Sequence, residues 1–241
     1  MDRLTISAAS GLRARMESME MLANNLANAS ASGYKLDREF YSLYVAPEAD
    51  GTISQLPLID RQWTDFSQGT LTPTGNQLDL ALSGSGFFAV DGPNGTLYTR
   101  NGAFQLSASG RLETKEGYAV RAAGGGIITV DPTRSVEISP DGAVWQQGVE
   151  MGRIQLADVS QPSALGKQSG LYFQLDPGAG VNVGTSSAQV QQGKLENSNV
   201  GSAEAAVRMI SVMRQFEMLQ RAVTLGAEMN RRGVEEVAKL S

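Results

Sequence analysis

Cysteine and histidine are both absent from the sequence. That excludes disulfides, thiolate nucleophiles, zinc sites of the Cys/His type and every catalytic triad built on imidazole. It leaves the redox compartment open. Charged residues are scarce, at 19%, and the net charge of −5 gives no reason to expect nucleic acid or an anionic membrane as partner. No run of about eighteen apolar residues occurs, so no transmembrane helix and no membrane insertion are expected. The opening residues lack the continuous apolar stretch of a secretory signal, which implies a cytosolic protein or export without a cleaved signal.

Without His or Cys, the surviving chemistry is a carboxylate pair or a Ser-Lys arrangement. Asp79, Asp91, Glu137 and Asp141 are available, but no spacing selects a pair. Asp79 alternates with leucines and is expected on the exposed face of a strand. Asp91 and Asp141 precede glycine and read as turn residues. Gly84-Ser85-Gly86 and Gly124-Gly125-Gly126 lack the Lys, Thr or following helix of a phosphate loop and read as turns. No enzyme, cofactor, metal or small-molecule substrate is expected.

What the chain does contain is helical periodicity at both ends. Leu12, Met16, Met19, Ala23 and Leu26 recur at steps of four and three, with Leu22 beside them. The pattern closes at Asn28, before a run of small residues ending in Gly33. From Met209 the series Met213, Phe216, Gln220, Val223, Ala227, Asn230, Val234 and Val237 keeps the same rhythm, broadened by Ile210, Val212 and Leu219. Asn197, Ser198 and Asn199 precede it as candidate capping residues. A helix of roughly forty residues is about 60 Å long, too long to fold back into a domain of this size. Eight of the nine methionines lie in the terminal segments, and methionine fills irregular contacts. The expected assembly interface is therefore Leu12, Met16, Met19, Leu22, Leu26, Met209, Met213, Phe216, Val223, Val234 and Val237.

The middle reads as short strands separated by turns. Leu78, Leu80 and Leu82 alternate with Asp79 and Ala81, and Phe87-Phe88-Ala89-Val90 is a short apolar run between glycine-rich turns. Asn101-Gly102, Ser109-Gly110 and Asp141-Gly142 are candidate hairpin turns. The expected fold class is α+β. A discontinuous, coiled-coil-like helical domain comes from residues 1–35 and 195–241, with a central antiparallel β-rich domain over 76–176. Residues 36–75 and 177–194 are expected as connectors, whose Trp63 and Phe66 pack on the β domain. The helical ends are near-neutral, so the acidic charge falls on the middle.

The stretch Asn24-Asn25-Leu26-Ala27-Asn28, then Gly33-Tyr34-Lys35, resembles the N-terminal signature of the axial proteins of bacterial flagella, the rod and hook subunits. Residues 68–88, from Gln68-Gly69 through Thr74-Gly75-Asn76 to Gly86-Phe87-Phe88, resemble a second block of that family. Tyr98-Thr99-Arg100-Asn101-Gly102 fits a third. Leu195-Glu196-Asn197-Ser198-Asn199-Val200 is similar to the sequence that opens the family's C-terminal helix. The blocks are colinear. Met1-Asp2-Arg3-Leu4 and the short stretch between Phe40 and Gln68 look more like the proximal rod subunits than the distal ones.

The resemblance implies a structural subunit of the basal-body rod, with copies of itself, neighbouring rod proteins and the flagellar type III export apparatus as partners. Residues 1–30 and 200–241 are then expected to order on assembly. Asn24, Asn25 and Asn28 are expected to cap and end the first helix. The competing class is a secreted β-rich adhesin or binding module with a helical hairpin, which leaves the terminal stripes unexplained.

Overall fold

The computed structural model describes residues 3–47, 53–176, 178 and 180–239, with side chains described except at 3–8, 41–47, 53–61, 230, 233, 234 and 236–239. The fold is α+β, with helices α1 (Arg3–Ala27) and α2 (Ser202–Lys239) flanking an antiparallel β-rich middle. The chain forms two compact units. A helical unit comprises Met1–Ala27, Asp37–Asp65 and Gly201–Ser241, and a β-rich unit comprises Asn28–Leu36 and Phe66–Val200. The chain therefore crosses between the units four times.

In the helical unit, Met21, Leu22 and Val212 form a small buried cluster, with Met19 and Met209 packed against it. Residues 36–75, expected as a connector, instead hold two long strands. β1 (Leu36–Pro47) and β2 (Ile53–Asp65) pair as a two-stranded sheet. Side chains alternate along β1 with period two. Glu39 points inward, its side chain only 1% exposed, accepting from Ser18 Oγ on α1 at 3.2 Å and from Arg208 on α2 at 2.7 Å. Arg38 lies beside Asp65 at 3.2 Å and over the Trp63 ring at 5.8 Å. Phe40 and Trp63 are exposed. Trp63 thus belongs to this hairpin, not to the β-rich unit as expected.

The β-rich unit is built from β3 (Leu71–Pro73), β4 (Leu80–Ser83), β5 (Phe87–Gly92), β6 (Gly95–Thr99), β7 (Phe104–Leu106), β8 (Leu112–Thr114), β9 (Ala119–Val120) and β10 (Glu137–Ile138). It continues with β11 (Ala143–Gln146), β12 (Val149–Arg153), β13 (Leu156–Val159), β14 (Leu165–Ser169), β15 (Tyr172–Leu175), β16 (Val183–Thr185), β17 (Gln189–Gln192) and β18 (Lys194–Glu196). The main sheet runs β14-β15-β6-β5-β9-β8-β7, with β13 joining β5 to β16. β10-β11-β12 form a second sheet, and β4 pairs with β17 and β3 with β18. β16 and β17 fall within residues 177–194, the other expected connector.

Alternation on β5 explains its apolar run. Phe88 and Val90 join the larger core, which includes Leu80, Leu82, Phe104 and Val144. Phe87 and Ala89 face the opposite side and join Tyr98, Phe173 and Leu165. A strand covered on both faces has no polar position to alternate with. Phe66 packs on the second core, its ring 5.4 Å from Phe87 and 5.0 Å from Phe173.

Ser109-Gly110 and Asp141-Gly142 do turn hairpins, joining β7 to β8 and β10 to β11. Asn101-Gly102 does not, because β6 pairs with β5 and β15 while β7 pairs with β8. Gly102 is required there by close approach: a Cβ would sit 1.7 Å from the Leu80 carbonyl oxygen. Asp79 is also not exposed. It is 8% accessible and accepts from Asn76 Nδ2 at 3.1 Å, because residues on either side of Leu80 are covered by the Ala103 and Gly193 segments.

Candidate functional site: assembly surface and motif cluster

The helices of the helical unit carry apolar residues on two faces. On α1 the buried positions are Gly11, Ala14, Ser18, Met21, Leu22 and Asn25. The α1 residues expected at the assembly interface divide between this face and the others. Leu22 is buried and Met19 packs against it, but Met16 is 49% exposed and Leu12 and Leu26 are half-buried. Small and polar residues occupy the inner face because it receives the hairpin: Ser18 meets Glu39, and Asn25 is completely buried against the Asp37 backbone. Asn25 Nδ2 donates to the Asp37 carbonyl at 2.8 Å while its Oδ1 accepts from the Asp37 amide at 3.0 Å. Asn25 therefore acts as a surrogate strand residue, where a helix cap was expected.

On α2 the covered stripe is Ala205, Met209, Val212, Phe216, Leu219, Val223 and Gly226, again in steps of four and three. Of the residues expected at the assembly interface, Met209, Phe216 and Val223 lie on this stripe and Met213 is exposed. Val234 and Val237 lie outside the described side chains. A second apolar stripe points away. Val207, Met218, Leu225 and Met229 are each about 60% exposed or more. They fall within about 40° of one another round a helix of 3.6 residues per turn, over roughly 33 Å of its length. The covered stripe lies on the opposite face. Beyond Gly226, every residue of α2 whose side chain is described is exposed.

The remaining motif residues converge inside the β-rich unit on one buried carboxylate. Glu196 closes β18 at 0% exposure. Lys35, also completely buried, donates from Nζ to Glu196 Oε1 at 2.5 Å and to the Ser67 carbonyl at 2.7 Å. The Gly69 amide donates to the same Oε1 at 2.9 Å. Arg100 donates to Glu196 Oε2 at 3.2 Å and to the Gly84 carbonyl at 2.7 Å. Burial lowers the Arg100 pKa, and the Glu196 carboxylate opposes that shift. Arg100 stays a cation at neutral pH.

Backbone and amide contacts complete the cluster. Gly33, at φ +73°, donates its amide to the Glu196 carbonyl at 2.7 Å, and a Cβ there would lie 2.2 Å from the Asn101 nitrogen. Tyr34 is buried beneath the Lys167 ammonium, 4.1 Å from its ring centroid. Asn199 does not cap α2, which begins at Ser202. Its Oδ1 accepts from the Leu36 amide at 2.8 Å, and its Nδ2 donates to Ser67 Oγ at 3.0 Å. Ser198 Oγ accepts from the Val200 amide at 3.2 Å. Asn28 forms the turn after α1, its carbonyl accepting from Ala31 at 3.0 Å. Glu196, Arg100 and Ser67 were not singled out from sequence as site residues. The available signal was that each lies in or beside a recurring block.

Among the described residues, no cluster of His, Cys, Asp or Glu is arranged to hold a metal, and no helix is long and apolar enough to cross a membrane. The carboxylates considered for catalysis are committed elsewhere: Asp91 pairs with Arg121 at 2.6 Å and Asp141 with Arg153 at 3.1 Å.

Three stretches match flagellar family models. Residues 7–35 match the flagella basal body rod protein family, 81–146 the flagellar hook protein FlgE/F/G D1 domain, and 191–235 the C-terminal region of the flagellar basal body rod FlgEFG proteins. The flagellar basal-body rod protein FlgF of Caulobacter vibrioides is 33% identical over 228 residues, covering 92% of this chain and 93% of that protein. The rod protein FlgG of Buchnera aphidicola subsp. Schizaphis graminum is 30% identical, covering 91% and 94% respectively. FlgF of Mesorhizobium japonicum is 30% identical, covering 89% and 88%. The chain belongs to the flagellar basal-body rod protein family. It is a structural protein of the flagellar basal body, without enzymatic activity.

Proposed function

We propose that this chain is a building block of the rod that polymerises through the outward faces of its terminal helices and carries torque from motor to hook. The observation that carries this reading is the doubled apolar character of α2. One stripe is used within the helical unit, and Val207, Met218, Leu225 and Met229 form a second, exposed stripe on the other side. A helix apolar on two faces has one more face than its own unit covers. Coiled-coil-like packing against copies of the chain and neighbouring rod proteins would cover it. Such contacts are heterologous and non-closing, which generates a helical polymer rather than a ring.

Passage through the type III export apparatus as an unfolded chain, without a cleaved signal, fits this reading. The small core of the helical unit would then gain its full stability from neighbours at the growing end. The similarity to FlgF, first among the relatives above, favours a proximal place in the rod. Met218→Glu and Leu225→Glu test the reading. Each is expected to leave the monomer's melting temperature unchanged while abolishing incorporation into rods, scored by electron microscopy of isolated basal bodies. Normal incorporation of both variants would refute it.

A further inference from the structure

Residues 28–36 follow α1 in sequence but belong to the β-rich unit. They form a strap stitched to distant parts of that unit. Gly33 reaches Glu196, Lys35 reaches Ser67 and Glu196, and Leu36 reaches Asn199. The strap is also pinned from above, where Lys167 Nζ donates to the Lys35 carbonyl at 2.9 Å. The Lys35–Glu196 contact spans 161 residues and the Arg100–Glu196 contact spans 96. One carboxylate therefore gathers the beginning, the middle and the end of the folded unit.

We propose that Glu196 and Lys35 form a completion latch, through which the β-rich unit reaches its locked state only when residues 33–36 and 196–199 are both in place. The electrostatics make the latch selective. With the strap absent, Glu196 and Arg100 remain a neutral pair, so the unit without its strap is not penalised by a stray charge. With Glu196 absent, Lys35 and Arg100 are two cations in one buried site, and the strap is driven out. The carboxylate therefore acts on the strap more strongly than either cation alone. Contacts at this sequence separation close late, because chain entropy opposes them until the rest has folded. Locking is thus the last step of the unit, and it reads the presence of both ends of that unit. This proposal concerns closure within one chain and does not rest on the polymerisation reading.

Amide hydrogen exchange on the full-length monomer tests it, comparing wild type with Lys35→Met, Glu196→Gln and the double variant. In wild type the Gly33 and Leu36 amides are expected to exchange as slowly as the Ala89 amide, which is bonded to the Gln155 carbonyl in the sheet. Glu196→Gln should accelerate both strap amides by about a hundredfold or more. Lys35→Met should accelerate them at least about tenfold while leaving Ala89 within a factor of about three. The double variant should exchange more slowly than Glu196→Gln alone, because removing the Lys35 charge relieves the repulsion between two buried cations. Strap amides that exchange far faster than Ala89 in wild type would overturn the proposal, as would additive effects in the double variant. If Glu196→Gln does not fold, Lys35→Met decides alone: unchanged strap exchange overturns the latch.

Discussion

The helical unit and the β-rich unit solve the problem of burying a chain in opposite ways. The β-rich unit covers its central strand on both faces, with Phe88 and Val90 in one core and Phe87 and Ala89 in the other. Its most buried charges, on Lys35, Arg100 and Glu196, pair with one another and with backbone groups. The helical unit buries a cluster of three apolar residues and leaves Val207, Met218, Leu225 and Met229 in water. Apolar surface removed from water contributes roughly 25 cal/mol per Å². One unit thus holds its apolar contacts inside itself, while the other leaves an apolar stripe exposed.

Substitutions at one buried residue of each unit, Glu196 and Leu22, give the largest test of this contrast. Glu196→Ala leaves two buried cations facing one another and should cost about 3–5 kcal/mol in denaturant unfolding of the β-rich unit. Leu22→Ala in the helical unit should cost less, about 2–3 kcal/mol, because its surroundings are thin enough to relax into the gap. A loss at Leu22 equal to that at Glu196 would break the distinction between the units.

An alkaline titration sharpens the comparison. Burial, helped by its hydrogen bond to Glu116, pushes the Tyr172 phenol well above its ordinary value near 10. Burial also raises Tyr98, against the opposing charge of Arg121. A raised folded-state pKa contributes stability that is complete below pH 10 and lost as pH rises through the folded value. The β-rich unit should therefore lose stability above pH 10, measured as its melting temperature from neutral pH to pH 11. Tyr172→Phe should flatten that decline. A slope unchanged in Tyr172→Phe would remove this tyrosine from the account.

Smaller effects are expected in the helical unit. Glu39 is buried, but its partner Arg208 is 45% exposed. Arg208→Ala should therefore cost about 1 kcal/mol or less in thermal unfolding. Met218→Ser should change monomer stability by less than about 0.5 kcal/mol while weakening assembly. A large loss of monomer stability at Met218 would mean that its stripe is already covered within the unit.

Much of the β-rich unit was readable from alternation and turn residues, because a strand repeats every two residues and glycine marks the chain reversals. Asn101-Gly102 misled for a physical reason: glycine is needed there for close approach to Leu80, not for a hairpin turn. The existence of α1 and α2 and the C-terminal end of α1 were likewise legible from apolar spacing. Their inward faces were not. On α1 the covered residues include Ala14, Ser18 and Asn25, small and polar residues set against the neighbouring hairpin, beside Met21 and Leu22. The hairpin itself, Leu36–Pro47 with Ile53–Asp65, reads as polar connector because its inward side chains include Asp37 and Glu39. Glu196 was visible inside a motif, but its partners lie 96 and 161 residues away, and no local pattern links them.

The central claim, that the helical unit keeps an apolar face for its neighbours, is tested most directly by hydrogen exchange along α2 in the monomer and in assembled rods. The account predicts that residues 207–229 exchange much faster than residues 87–92 in the monomer and become comparably protected in the rod. Equal protection of both segments in the monomer, with no change on assembly, would contradict it.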